Sequence, residues 1–257
     1  MVPKKMGRFL LGRLSLRRKH AKVAVIFFTQ PRALDLRPGI PLILLAVSLA
    51  TPLRAGPWMQ GAGQGFASAS ATIRQAETDK WRHELNYFGE YGWSDRVTLG
   101  VDLNQNDRVS GHALLFARIP LAMRYSAFPV ALSVSGGGAH QRGTWKAMYR
   151  VTLSAGHSFQ TERGSGWVSA DATYELRHGA DDPTWKLDAT IGWNRAGTLS
   201  PMLQIETSKR SGEPLVYAVI PSLRYEVSEH QAVVAGLEYK EAGQRSLGLR
   251  LALWHRF

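Results

Sequence analysis

Apolar and polar residues alternate with a period of two along most of the chain after residue 65. In the segment 145–159, for example, Tyr149 and Val151 fall on one face and Arg150 falls on the other. Successive side chains of a β-strand point to opposite faces, so this period predicts strands rather than helices. About twelve segments follow it, and ten is the lower count. These segments are 66–73, 81–93, 97–105, 113–121, 129–136, 145–159, 167–177, 185–194, 202–208, 216–227, 232–240 and 246–257.

The connections between the predicted strands are short and rich in turn-forming residues. An Asp-Asp-Pro sequence at 181–183 forms one connection, and we interpret the three glycines at 136–138 as the flexible tip of another. Consecutive strands joined by short turns run antiparallel. The sequence therefore predicts an all-β fold with an antiparallel, up-and-down sheet. Pro221 falls inside the segment 216–227, and because proline cannot donate a ladder hydrogen bond, we expect a bulge or a strand end there.

Aromatic residues stand near both ends of several apolar faces. A strand tilted by about 40° projects a separation of 12–14 residues onto roughly 30 Å, which is about the height of a hydrocarbon layer with its aromatic girdles. Trp185 and Trp193 lie closer together, roughly 20 Å apart by the same rise. This arrangement favours a sheet whose apolar face points outward to lipid. The predicted membrane-interface aromatics are Trp81, Trp93, Trp145, Phe159, Trp185 and Trp193.

The polar faces of the same segments hold nine acidic and nine basic residues. Such charges pair well across a lumen, whereas the alternative is that they form the solvated outer face of a soluble sheet. The basic residues are Arg82, Arg118, Lys146, Arg150, Lys186, Arg224, Lys240, Arg250 and Arg256, and the acidic residues are Glu84, Glu90, Asp102, Asp171, Glu175, Asp188, Glu206, Glu226 and Glu238. Balanced charge predicts weak ion selectivity. For a channel, the predicted lumen-lining residues are Arg82, Arg150, Arg224, Arg250, Glu206 and Glu226.

The net charge of the chain is concentrated near its N-terminus. The 257 residues carry a formal charge of +12, with 32 Lys and Arg against 20 Asp and Glu. Residues 1–55 contain eleven basic residues and one acid, so residues 56–257 are close to neutral. A nucleic-acid-binding protein needs its basic surface on the folded body, and we therefore predict no nucleic-acid partner. The lack of cysteine excludes disulfides and Cys-ligated metal sites.

An apolar run at about 39–53 has the length of a signal-peptide core. Ala55 provides a small residue at the predicted cleavage site. We therefore divide the chain into an N-terminal export leader, 1–55, and a mature body, 56–257. The alternative for the apolar run is a short membrane anchor. The arginine pair at 17–18 is a weaker indication of a twin-arginine signal, because it lies far from the apolar core.

The last predicted strand is amphipathic and closes on an aromatic residue, with leucines at alternate positions before it. This pattern resembles the C-terminal assembly signal of Gram-negative outer-membrane β-barrel proteins, although His255 stands where that signal usually has an apolar residue. The resemblance implies a closed barrel in the lipid bilayer of the outer membrane, reached through the periplasm and inserted by the barrel-insertion machinery. The implied signal residues are Leu249, Leu251, Leu253 and Phe257.

The histidines are the candidates for chemistry. A lipid hydrolase needs a serine beside a histidine near the lipid interface, and in the predicted register no serine lies beside the histidines of the apolar faces. These are His83, His157 and His255. Three more histidines fall near loops on one side without the spacing of a metal site. These are His112, His140 and His178. We therefore predict a non-enzymatic protein with no catalytic residue, no metal and no cofactor.

The leading interpretation is a small passive outer-membrane channel for polar solutes, with a charge-balanced lumen. One alternative is a structural outer-membrane barrel whose paired charges fill the interior. Another is an outer-membrane lipid hydrolase. At the level of the fold, the alternative is a soluble β protein, whose apolar faces would point inward.

Overall fold

In the part of this chain that the computed structural model describes, twelve antiparallel strands form a closed barrel. The strands are β1 (Gly65–Ala76), β2 (Trp81–Ser94), β3 (Val97–Asn106), β4 (Ser110–Pro120), β5 (Val130–Gln141), β6 (Thr144–Thr161), β7 (Gly164–Arg177), β8 (Thr184–Asn194), β9 (Leu199–Arg210), β10 (Val216–Glu226), β11 (Gln231–Glu241) and β12 (Arg245–Arg256). The structure describes residues 56–76, 81–121, 127–162, 164–194 and 199–257, and the predicted leader lies outside them. Within these ranges, no helix is long and apolar enough to cross a membrane.

The predicted all-β, antiparallel, up-and-down barrel of twelve strands is confirmed. Each strand pairs with its neighbours in sequence, and β1 closes the barrel against β12. Each predicted segment overlaps one strand, although several strands are longer than the side-chain pattern. β4 begins at Ser110 rather than at 113, and β5 continues to Gln141 rather than to 136. Backbone pairing with both neighbours maintains a strand where the side chains no longer alternate.

The three glycines at 136–138 lie inside β5, so their interpretation as a hairpin tip is wrong. The turn after β5 is formed by Arg142 and Gly143, both with positive φ. Gly137 is required where β4 approaches closely, because a Cβ at this position would overlap the carbonyl oxygen of Ala113. A glycine in the interior of a strand thus marks the approach of another backbone rather than a turn.

β10 continues through Pro221 without a bulge, so the interruption expected there is wrong. The register with β11 is the same at Val219, before the proline, and at Ser222, after it. A residue in an antiparallel sheet bonds to one neighbour or the other, so the missing N–H removes one donor without shifting the strand. A register shift occurs instead in β2, between Gly92 and Ser94.

The outward side chains of the barrel are mostly apolar and exposed. Leu115, Leu237 and Leu247 lie on three different strands, and each exposes at least 65% of its surface. Water disfavours a continuous apolar belt of this kind, whereas hydrocarbon matches it. The soluble alternative requires the apolar faces to point inward and is therefore wrong. The barrel spans a membrane with its apolar face toward the lipid.

The barrel has a terminal rim, where β1 begins and β12 ends, and a distal rim at its other end. The predicted interface aromatics divide equally between the two rims. Those near the distal rim are Trp81, Trp145 and Trp185, and those near the terminal rim are Trp93, Phe159 and Trp193. The rings of Phe159 and Trp193 meet edge to face, with 5.7 Å between their centroids. This placement is that of two aromatic girdles, and the contact of these side chains with lipid headgroups stays a prediction.

Replacing Leu115 by Arg puts a charge in the middle of the apolar belt. We expect the free energy of unfolding to fall by about 2–4 kcal/mol, because hydrocarbon does not solvate a guanidinium group at this depth. Urea unfolding in lipid vesicles measures the change. The matched control is Leu215→Arg, in the connection before β10, for which we expect a loss of about 0–1 kcal/mol. Equal losses at the two positions would contradict a lipid-facing belt.

Candidate functional site in the barrel lumen

The inner face of the barrel carries the charged residues that the sequence places on the polar face. All nine predicted acids project to this side, and seven of them lie within ion-pair distance of a cationic side chain. The seven are Glu84, Glu90, Asp102, Glu175, Glu206, Glu226 and Glu238. Charged groups that face lipid are costly, whereas paired charges inside a barrel avoid that cost. The lumen is therefore the candidate site.

A layer of charged residues crosses the lumen, nearer its distal rim than its terminal rim. Because this layer separates two cavities, we call it the central layer; it consists of Asp102, Arg150, Glu175, Arg177 and Lys186. Glu175, on β7, is only 1% exposed. Its carboxylate lies 3.2 Å from Arg150, 2.8 Å from Arg177 and 3.0 Å from Lys186. Arg150 also donates to Asp102 at 2.5 Å, from β6 to β3, so its side chain connects strands that are not neighbours.

A second network lies beside β12. Arg74, on β1, binds Glu84 at 2.7 Å and Glu238 at 2.8 Å. Arg250, on β12, shares Glu238 at 2.8 Å and also binds Glu206, on β9, at 2.7 Å. Arg74 is a lumen residue that the sequence analysis missed, because the first predicted strand ended at 73. Arg74 is the next polar-face position after Thr72, so a predicted strand longer by one residue would have included it.

A third network lies near the terminal rim. Glu226 is 3.0 Å from Arg224 and 3.1 Å from Arg256. Arg224 also donates to the side-chain oxygen of Asn194 at 2.7 Å. Five of the six predicted lumen-lining residues belong to the three networks. Arg82 is exposed at the distal end of β2, opposite Arg74, and among the described residues it has no ion-pair partner. The five are Arg150, Arg224, Arg250, Glu206 and Glu226.

The residues before β1 fold back into the lumen near the terminal rim, and we call 56–64 the inner segment. The backbone N–H of Gln60 donates to the Thr98 hydroxyl at 3.2 Å, and its side-chain amide donates to Glu90 at 2.5 Å. Arg118 donates to the other oxygen of Glu90 at 2.7 Å. Glu90 thus anchors the inner segment to the barrel wall. This segment has no apolar period, so nothing in its sequence predicts a position inside the barrel.

Two glycines of the barrel wall make room for the inner segment. A Cβ on Gly92, in β2, would overlap the backbone carbonyl of Gly61. A Cβ on Gly156, in β6, would lie 2.6 Å from Cγ of Pro57 and 2.8 Å from the ring of Trp58. Glycine weakens a strand interior unless a close approach requires it. The two glycines therefore indicate that the position of the inner segment inside the barrel is specified by the sequence of the barrel wall.

Two cavities lie on either side of the central layer. The inner cavity, of about 380 Å³, adjoins the inner segment, and its lining includes Gly56, Asp171 and Asp188. The outer cavity, of about 670 Å³, lies at the distal rim between the ends of β5 to β9. Arg150 lines the inner cavity and Arg177 lines the outer one. A solute moving from one cavity to the other would therefore pass the carboxylate that these two arginines share.

The described histidines do not assemble the sites that the sequence analysis considered. His83 lies 3.1 Å from a carboxylate oxygen of Asp107, and His157 contacts the backbone carbonyl of Ala127 at 2.8 Å. Neither contact supplies the serine that a hydrolase needs. Within the described ranges, no three His, Asp or Glu side chains are grouped as metal ligands would be.

The final strand presents its leucines on the outer face of the barrel. The leucines of the predicted assembly signal are each about half exposed. The backbone of Phe257 exchanges two hydrogen bonds with Gly65, at 2.7 and 3.0 Å, so the last residue is fixed to the start of β1. Recognition of this strand by the insertion machinery stays a prediction.

No protein-family model and no curated protein matches the sequence, whereas solved structures match in fold. The chain is similar to the KdgM porin, with 13% identity and a TM-score of 0.54, over 74% of this chain and 99% of that chain. It is similar to the NanC porin, with 8% identity and a TM-score of 0.54, over 74% and 98% of the two chains. It is also similar to the COG4313 outer membrane channel from Pseudomonas putida F1, with 10% identity and a TM-score of 0.50, over 78% and 97%. The chain therefore has the fold of outer-membrane β-barrel proteins, and its closed barrel with an apolar belt belongs in the outer membrane.

Proposed function

We propose that this chain is a narrow outer-membrane channel through which small polar solutes pass passively. The observation that carries the proposal is the pair of cavities inside the barrel, one on each side of the central layer, whose linings both include charged side chains. A hydrophilic lining admits water and small solutes that the hydrocarbon outside excludes. The fold that the chain shares with two porins also supports a channel.

The charge of the central layer favours a channel with weak selectivity. Asp102 and Glu175 lie against three cations, so the layer carries a small positive excess. A lumen dominated by one sign of charge would discriminate strongly between ions. The proposed channel therefore accepts neutral solutes and ions of both signs, with a slight preference for anions.

A structural barrel with a filled lumen is the second candidate, and the burial of the inner charges favours it. Glu175 and Glu238 are each 1% exposed, so protein side chains surround them. The inner segment occupies further space near the terminal rim. In this second function, the ion pairs would hold the walls together and the envelope would need the protein for its integrity.

Planar-bilayer recordings distinguish the two candidates. For the channel, we expect small discrete conductance steps with weak selectivity from protein purified from the outer membrane. Gel mobility with and without boiling shows beforehand that the barrel is folded. A folded barrel that gives no steps would favour the structural function.

Replacing Glu175 by Gln removes the carboxylate that three cations of the central layer share. We expect the chloride-to-potassium permeability ratio to rise about tenfold. One charge at about 8 Å in a pore of effective dielectric constant about 60 contributes about 0.7 kcal/mol. Its loss favours chloride and disfavours potassium by this amount each, so the ratio changes by about 1.4 kcal/mol, which is about a factor of ten. The reversal potential in a KCl gradient measures the ratio.

The matched variant Lys186→Gln removes one of the cations from the same layer, and we expect a shift of similar size toward potassium. Glu229→Gln, at an exposed position between β10 and β11 that lines neither cavity, serves as the control for a charge change outside the ion path. Shifts of the same sign in Glu175→Gln and Lys186→Gln would contradict an ion path through the central layer.

Replacing Gly92 by Ala should displace the inner segment, because the added Cβ overlaps the carbonyl of Gly61. A single cysteine at Met59 reports this change, since the chain has no other cysteine and Met59 is buried. We expect the rate of labelling by a water-soluble maleimide to rise about tenfold, the factor that about 1.4 kcal/mol of lost anchoring gives. We also expect the conductance to increase.

The control for this substitution is Gly136→Ala, whose added Cβ would lie no closer than 3.8 Å to its nearest neighbour. Both variants add one methyl group to a strand glycine, but only Gly92→Ala pushes on the inner segment. An unchanged labelling rate in Gly92→Ala would show that the segment is not held against β2.

A further inference from the structure

Two inner carboxylates differ from the other seven, because Asp171 and Asp188 have no cation within ion-pair distance in the described part of the chain. They lie directly opposite each other, on β7 and β8. Asp188 accepts a hydrogen bond from the backbone N–H of Thr207 at 2.9 Å, which is a neutral donor. Like charges placed opposite each other destabilise a sheet. Arg118 and Arg150 line the same cavity, but they are bound to Glu90, Asp102 and Glu175. No described cation is therefore bonded to this pair.

The start of the inner segment reaches the same place. Gly56 lines the inner cavity together with both carboxylates. A Cβ on Gly56 would lie 3.4 Å from Cβ of Ser169, on the inner face of β7. Ser169 and Asp171 are two residues apart on that face, or about 7 Å along the strand. The backbone nitrogen of Gly56 thus belongs to the surroundings of the carboxylate pair.

We propose that removal of the leader between Ala55 and Gly56 creates the missing cation. A leader peptidase hydrolyses this peptide bond with one water molecule, which leaves a carboxylate on Ala55 and an amine on Gly56. The amine takes up a proton near neutral pH. The resulting α-ammonium group lies in the inner cavity and is the counter-ion of Asp171 and Asp188. This proposal rests on the predicted leader and is independent of whether the barrel conducts.

The proposed ion pair couples export processing to the structure of the lumen. Before cleavage, Gly56 offers only a peptide N–H, which is a neutral donor. After cleavage, the inner segment is held at its first residue by the carboxylate pair and at Gln60 by Glu90 and Thr98. Two attachment points hold one short segment more firmly than one does. In the mature chain, the inner segment is therefore bound to the barrel wall at both positions, whereas before cleavage it is bound only at Gln60.

The first test is the mass of the mature chain. The full chain is expressed with its leader, purified from the outer membrane, and analysed by mass spectrometry of its N-terminal peptide. We expect the mature protein to begin at Gly56. A mature N-terminus several residues away, or a retained leader, would overturn the proposal, whatever the bilayer recordings show.

The second test measures the reactivity of the α-amine. We expect acylation of the folded protein at neutral pH to be at least about tenfold slower than in the unfolded chain, because the paired ammonium form is not a nucleophile. The double substitution Asp171→Asn with Asp188→Asn should restore most of the rate. Its control is Asp181→Asn with Asp182→Asn, an exposed pair between β7 and β8, for which we expect no change. Equal rates in all three proteins would overturn the proposal.

The third test separates an ion pair from simple repulsion. If the carboxylates only repel each other, the double substitution raises the midpoint of thermal unfolding. If they bind the ammonium group, it lowers the midpoint. Inserting Gly-Ser-Gly-Ser after Ala55 moves the ammonium away, and in that background the same substitution should no longer lower the midpoint. A raised midpoint in the native background, or a midpoint that depends on added Mg²⁺ instead of on the N-terminus, would overturn the proposal.

Discussion

Hydrocarbon offers the protein backbone no hydrogen-bonding partners, and this determines the architecture of the barrel. Each unsatisfied backbone N–H or C=O in lipid costs several kcal/mol, so a sheet in a membrane has to close on itself. The closure here joins β1 to β12 in a continuous register from Phe66 opposite Arg256 to Ala76 opposite Ser246. This requirement also explains why Pro221 is accommodated without a bulge, since a shifted register would leave more backbone groups without partners than one missing donor does.

Closure divides the side chains of every strand between lipid and lumen, and this division places the charges. A guanidinium or carboxylate group that faces hydrocarbon is costly, so the charged side chains of the membrane-spanning strands point into the lumen, where most of them have a partner of opposite charge. The pairing extends beyond adjacent strands. Arg150 connects β6 to β3, and Arg250 connects β12 to β9. The inner ion pairs therefore link parts of the wall that the backbone ladder does not join.

The period of two made the strands and most inner charges predictable, because it reports directly which of two environments each side chain occupies. It does not report how closely two backbones approach. For this reason, the glycines at 136–138 suggested a turn, although Gly137 is needed where the backbones of β4 and β5 approach each other closely. The period also carries no information on residues outside the sheet. The inner segment is fixed by pairwise contacts such as that of Gly61 with Gly92, and these partners are far apart in sequence.

An equal number of acidic and basic residues on one face is not the same as charge balance in space. The sequence gives nine of each sign, and this equality suggested complete pairing. In the described part of the structure, Arg82 and Lys146 lie toward the distal rim without an acid within ion-pair distance. Asp171 and Asp188 line the inner cavity, and the two arginines that line it with them, Arg118 and Arg150, are bound to other acids. Coulomb energy falls with distance and with screening by water, so the two distal cations cannot compensate the two inner acids. A counter-ion for this pair therefore has to lie in the inner cavity itself, and the group that we propose for this role is the α-ammonium group of Gly56, the residue of the inner segment that lines this cavity.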